Sequence, residues 1–192
     1  MLVRKLYAHE RSLYADHLKR LPDNDRRLRF ASAAVSETWI DRYVDGIRDD
    51  DLILAAVESD KVVGAVHVAV NGAVAEIGIS VDADHRATGM GSELLTQAVA
   101  FARNRRAEKL YTLCLSENRS MVALAKRSGM ELHCDSGEAE AFLDLPPPDP
   151  LTVSQEVQTG LFAMFHSWAE MVDAYGEAVV NGLLPKDQVS KG

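Results

Sequence analysis

Two cysteines are all that this 192-residue chain carries, and their scarcity removes two architectures at once. Cys114 and Cys134 belong to no C-x-x-C or Cys/His pattern, so neither a disulfide-framed fold nor a metal centre is indicated. Both fall in segments that read as strands, and a pair of buried apolar thiols is expected. Long apolar runs are missing too. No stretch approaches the ~20 residues of a membrane span, and the opening Met1-Leu-Val-Arg-Lys-Leu-Tyr7 lacks the apolar core of a signal peptide. The expectation is a cytoplasmic protein without a membrane partner.

Positive charge is also in short supply, with a net charge of −8 that argues against a general nucleic-acid binder. The deficit is uneven. Between His85 and Arg127 stand eight Lys/Arg against three Glu, so the rest of the chain is more acidic than the total suggests. A basic segment in an acidic protein suits a polyphosphate ligand on one side and a cationic one on the other; solvated helix faces would give the same count. Apolar residues make up 47%, enough for a core of about one domain.

Periodicity divides the chain. A short strand near Leu2 to Tyr7 precedes a helical stretch with Leu13, His17, Leu18 and Leu21 on one side, and Ser36-Glu-Thr-Trp39 opens a second helix. Leu52 to Val57, Val62 to Val70 and Ala73 to Val81 are β-rich runs that predict an antiparallel meander. They are separated by Ser59-Asp60 and by Asn71-Gly72, the latter expected as a type I′ turn. A helix follows over about Gly89 to Arg105, then a strand over Lys109 to Leu115. A helix from about Ser120 to Arg127 ends at Gly129, and two strands near Leu132 to Asp135 and Ala139 to Leu145 complete the set.

Four of the six prolines lie in Pro146-Pro-Pro-Asp-Pro150, a stiff linker. It divides a domain over 1–145 from a C-terminal helical extension over 151–192. There, Val153, Val157, Leu161, Met164, Trp168, Val172, Tyr175 and Val179 recur at helical spacing. Such a stripe must pack, either on its own domain or across a homodimer, and the homodimer is expected because the first domain already closes a core.

The segment Val81-Asp-Ala-Asp-His-Arg86-Ala-Thr-Gly89-Met-Gly91 places a strand, a short loop and a glycine-bearing helix start in succession. The first amides of a helix have no intrahelical acceptor, and the helix dipole adds positive potential there. With Arg86 beside it, R-x-x-G-x-G reads as a pyrophosphate cradle, although glycines at such a turn can serve the turn alone. The pattern is neither a G-x-x-x-x-G-K-[ST] loop nor a full G-x-G-x-x-G.

Taken with Asn118, Leu124, Gly129 and Met130 in an N-x(5)-L-x(4)-G-[FM] pattern one strand later, the chain from Leu2 to Leu145 resembles the GNAT superfamily of acyl-CoA-dependent N-acyltransferases. The resemblance implies an α+β fold: a mixed, mainly antiparallel central sheet flanked by helices. It implies acetyl-CoA as co-substrate and no metal. The backbone of Ile79, Ser80 and Val81 would pair with the pantetheine arm, and the Val81 amide would polarise the thioester carbonyl. Amides from Arg86 through Ala87, Thr88, Gly89, Met90 and Gly91 would hold the pyrophosphate. Asn118 would fix the pantetheine, unless it serves only as a helix cap.

The implied chemistry is direct attack of a neutral amine on acetyl-CoA in a ternary complex. Glu76 is the candidate base, although a one-residue offset would turn it to the other face. A tyrosine often lies four residues before the glycine corresponding to Gly129, where this chain has Ala125, so a non-catalytic acyl-CoA-binding or regulatory module is the alternative. His67 and His133 read as satisfied histidines, and Cys114 has no His/Asp partner to make it a nucleophile. The acceptor is expected to be a small-molecule or protein amine. A cationic small molecule or a protein lysine suits the acidic remainder, and Asp25-Arg-Arg-Leu-Arg29-Phe30 resembles a stretch of some bacterial protein-lysine acetyltransferases.

Overall fold

A computed structural model describes residues 2–150 together with residues 153, 154, 156 and 157. The meander expected from the period-2 runs forms as β1 (Leu2–Leu6), β2 (Leu52–Glu58), β3 (Lys61–Asn71) and β4 (Val74–Val81), each antiparallel to the next. Their continuation is β5 (Lys109–Leu115), β6 (Glu131–Asp135) and β7 (Glu138–Asp144), in a seven-stranded sheet of order β1-β2-β3-β4-β5-β7-β6.

Among the described strands, only β4 and β5 run parallel. Their pairing covers Val74, Ala75 and Glu76 against Lys109, Leu110 and Tyr111, and stops there. From Ile77 to Val81, β4 stays bonded to β3, while its edge toward β5 has no partner strand.

Helices cover both faces. On one, α4 (Met90–Asn104) and α5 (Arg119–Arg127) bring Leu94, Leu95, Ala98 and Leu124 onto Val66, Val68 and Ile77. On the other, α1 (Arg11–Arg20) and α3 (Glu37–Asp45) bury Tyr14, Leu18, Ile40 and Val44 against Ile53, Ala55 and Ala65. This double cover explains why β2 reads as five consecutive buried residues rather than an alternation. Ser36 caps α3 as expected, its hydroxyl accepting from the Trp39 amide at 3.2 Å.

The α2 helix (Asp23–Phe30) has no counterpart in the sequence reading. It buries no residue completely, so it offers no apolar stripe to detect. It starts after Pro22 and is stopped by Ala31 at φ +48°.

Two local expectations change. Asn71 is the last paired residue of β3, so the β3–β4 turn is Gly72-Ala73 with positive φ only at Gly72, not a type I′ turn centred on Asn71-Gly72. The turn with both central residues left-handed is Ser59-Asp60, between β2 and β3. Of the two thiols, Cys114 is buried and Cys134 is exposed, because β6 is an edge strand. Burial holds the Cys114 thiol above its ordinary pKa, which makes it a poor nucleophile.

The proline segment is fastened rather than free. Arg103 of α4 donates to the Pro146 and Pro147 carbonyls and pairs with Asp149 at 2.8 Å. The expected C-terminal helix and the homodimer through it lie outside the described residues, apart from four positions. Among the described residues, no helix is long and apolar enough to cross a membrane, and no group of three acidic, His or Cys side chains could hold a metal.

Candidate active site

The unpaired edge of β4 opens into a cavity of about 480 Å³, closed on its other sides by α2, the β4–α4 loop and α5. Of the expected residues, Ile79, Ser80, Val81, Arg86, Ala87, Gly89, Gly91 and Asn118 line it. Thr88 and Met90 do not. The Thr88 hydroxyl turns back to the His85 carbonyl at 2.8 Å. The Met90 side chain is buried in the core, where a Cβ on Gly64 would overlap its sulfur.

At the loop end, the backbone is arranged for an anion. Ala87 and Gly89 both have positive φ, +61° and +91°. The amides of Ala87, Thr88, Gly89, Met90 and Gly91 have no protein acceptor among the described residues, since the helix ladder begins with Ser92 and Glu93 donating to the Gly89 carbonyl. A Cβ at Gly89 would have nothing within 4 Å, so the approach to these amides is open. Successive left-handed turns ahead of a helix N-terminus concentrate positive potential.

Side chains add to it. Arg29, His85, Arg86, Arg119 and Arg127 line the cavity, against one acid, Asp25, which is spent on Arg86 at 2.6 Å. Arg86 also donates from Nε to the Val81 carbonyl at 3.3 Å, which ties the loop to the end of β4. The charge excess counted in the sequence between His85 and Arg127 therefore faces one cavity in part, through Arg86, Arg119 and Arg127.

Asn118 is a helix cap: its side-chain oxygen accepts from the Met121 amide at 3.1 Å. Its amide nitrogen reaches the Leu28 carbonyl of α2 at 3.4 Å, so the cap also anchors the cavity wall. Ala125, where a tyrosine was sought, is buried in the core and outside the lining.

Glu76 is exposed, and it is not part of the cavity wall. By strand alternation it shares a face with Gly78 and Ser80. Between them lies Arg29 of α2, whose guanidinium occupies the space a Cβ on Gly78 would need. Arg29 bonds the hydroxyls of Tyr14 and Tyr43, each at 3.4 Å. Tyr43 in turn meets His67 Nδ1 at 2.7 Å, and His67 Nε2 meets Asp51 at 3.4 Å. Burial, reinforced by the Arg29 charge, pushes His67 down to about 4. The histidine is thus a neutral, satisfied residue behind Tyr43, outside the cavity lining.

Sequence reasoning passed over the α2 contribution and the buried partner of Ser80. The hydroxyl of Ser80, 7% exposed, lies 2.9 Å from Nε2 of His17 on α1, which is wholly buried.

The site thus sets a row of unbonded amides ahead of a helix beside a split in a mixed sheet. Residues 10–130 match the Acetyltransferase (GNAT) family, and the chain belongs to it. No curated protein matches the sequence.

Solved structures confirm the fold. The GNAT domain of S. lividans PAT is 21% identical with a TM-score of 0.64, covering 74% of this chain and 89% of that one. A PaiA N-acetyltransferase from Thermoplasma acidophilum, in complex with coenzyme A, is 13% identical with a TM-score of 0.57, covering 74% and 97%. A ribosomal-protein-alanine N-acetyltransferase from Brucella melitensis is 19% identical with a TM-score of 0.54, covering 74% and 97%.

The residues present fit coenzyme A. A row of unbonded amides and a basic wall suit its phosphates, and the free β4 edge offers amide groups to its pantetheine arm.

Proposed function

We propose that the protein transfers an acetyl group from acetyl-CoA to a primary amine by direct attack in a ternary complex. One observation carries this reading: the released edge of β4 and the unbonded amides of residues 87–91 open into the same basic cavity. Amides from 87 to 91 hold the pyrophosphate, helped by Arg86, which Asp25 keeps in place. The backbone from Ile79 to Val81 orients the pantetheine, with the Val81 amide aimed at the thioester carbonyl.

Glu76 stands outside the cavity wall, so a proton reaches it only through water. Nothing at Ala125 supplies an acid for the thiolate. The sulfur leaves unprotonated or takes a proton from solvent, which its acidity as a thiol permits.

The acceptor is a small molecule or a protein amine. The acidic remainder of the chain favours a cationic one, and the names of solved relatives put protein amines in the same panel. Release of free CoA thiol, followed across small amines, polyamines and lysine peptides, tests the reading. Thiol release that depends on an amine supports it. Tight acetyl-CoA binding with no release from any acceptor would instead favour a non-catalytic acyl-CoA-binding module, the reading motivated by Ala125.

A further inference from the structure

Ser80, His17 and Asp82 form a connected line that the family resemblance did not bring forward. The Ser80 hydroxyl is 2.9 Å from His17 Nε2, and His17 Nδ1 lies 3.2 Å from Asp82 and 3.0 Å from the Val62 carbonyl. Both acceptors at Nδ1 require a hydrogen there, so Nε2 of the neutral ring accepts the Ser80 proton. His17 is completely buried and Ser80 is 7% exposed, whereas the Asp82 side chain is 26% exposed. Burial works to raise the Asp82 pKa. The hydrogen bond from His17, with the nearby Arg20 charge, outweighs it and holds the carboxyl below the usual range.

The groups facing the ring are few. Asp82 comes from the loop after β4, and Arg20 comes from α1, bonded to the Val62 carbonyl at 2.6 Å and 3.8 Å from Asp82. His85 acts on Asp82 from beyond. Ser80 is the member of the line that reaches the cavity wall; His17 and Asp82 do not.

We infer that Ser80 is a catalytic proton acceptor for the attacking amine, with His17 and Asp82 acting through it; the inference rests on the acetyl-transfer reading. The ammonium of the acceptor gives one proton to the Ser80 oxygen while the Ser80 hydrogen passes to His17 Nε2. The amine is then neutral, and the imidazolium is balanced by Asp82. Nitrogen bonds to the acetyl carbon and the carbon–sulfur bond breaks. The proton released from the new amide nitrogen is matched by the one the sulfur takes up, and the proton on His17 returns to solvent. The relay meets the need that an exposed Glu76 meets only through water, because Ser80 lines the cavity and Glu76 does not.

The test is a pH–rate profile of thiol release at saturating acetyl-CoA, using whichever amine the wild-type protein acetylates. Wild type shows an acid limb in log kcat, because a relay that accepts a proton stops once its end is already protonated. Ser80→Ala removes one hydroxyl; it lowers kcat by ~10²-fold, abolishes the limb and leaves the KM for acetyl-CoA nearly unchanged. His17→Gln has the same effect, and Ser80→Thr, which keeps a hydroxyl, restores part of the rate and the limb. A purely structural role would reduce the active fraction without moving the pH profile. Wild-type kcat with an intact limb in Ser80→Ala overturns the relay. Wild-type protein that acetylates no amine overturns the parent reading and the relay with it.

Discussion

Replacing Gly89 by aspartate tests the phosphate end of the cavity, and the structure sets its size. Gly89 sits at φ +91°, so any side chain costs about 1–2 kcal/mol of backbone strain. No atom lies within 4 Å of the added Cβ, so Gly89→Ala carries that strain and nothing else. Gly89→Asp adds a negative charge beside the unbonded amides. At roughly 6 Å from a phosphate and an effective dielectric of about 20, the repulsion is ~3 kcal/mol, or about two decades in Kd.

Calorimetric titration with acetyl-CoA should show near-native affinity for the alanine variant and a ~10²-fold loss for the aspartate. The gap between them should close in 1 M salt, where the Debye length shortens to about 3 Å. Equal affinities for the two variants at low salt would show that no phosphate binds beside Gly89.

Three further outcomes are expected. Glu76→Gln should keep acetyl-CoA affinity and most of kcat; a fall of ~10²-fold or more, the size a general base supplies, would return the proton to Glu76 and refute the relay through Ser80. His67 titrates near 4 in the fold and near 6.5 when unfolded, so below pH 6.5 the unfolded chain binds the extra proton. Stability is then full above pH 6.5 and falls toward pH 4 by up to about 3 kcal/mol; urea melts across that range should show the slope, and an unchanged slope in His67→Asn would assign it elsewhere. Removing the residues after Pro150 should turn a homodimer into a monomer by light scattering, and a monomeric full-length chain would leave the apolar stripe to its own domain.

The sequence was most readable where a residue type answers a backbone demand. Period-2 runs with turn residues between them located β2, β3 and β4, and Gly89 with Gly91 marked the loop because only an open backbone exposes amides to a ligand. The α2 helix escaped because its side chains bond rather than bury, leaving no stripe to count. Ser80 and His17 lie 63 residues apart, and spacing along the chain says nothing of a hydrogen bond made by packing α1 on the sheet. Glu76 was identified by its strand, yet it lies outside the cavity lining, while Arg29 comes close to the same strand only because position 78 is glycine.

That same α2 helix spans the split in the sheet. It holds the β4 side through Asp25 on Arg86 and Arg29 on Gly78, and the α5 side through Arg27 on Glu117 and Leu28 on Asn118. The two halves of the sheet, joined directly by three residue pairs of β4 and β5, are thus clasped by a short, largely polar segment that buries no residue completely. Such a clasp can be rewritten cheaply. Substitutions at Leu28 and Arg29 would reshape one wall of the cavity while Asp25 still holds Arg86 and the amides of residues 87–91 stay unbonded, so under the acetyl-transfer reading one scaffold could change its acceptor without relearning how to bind its acyl donor.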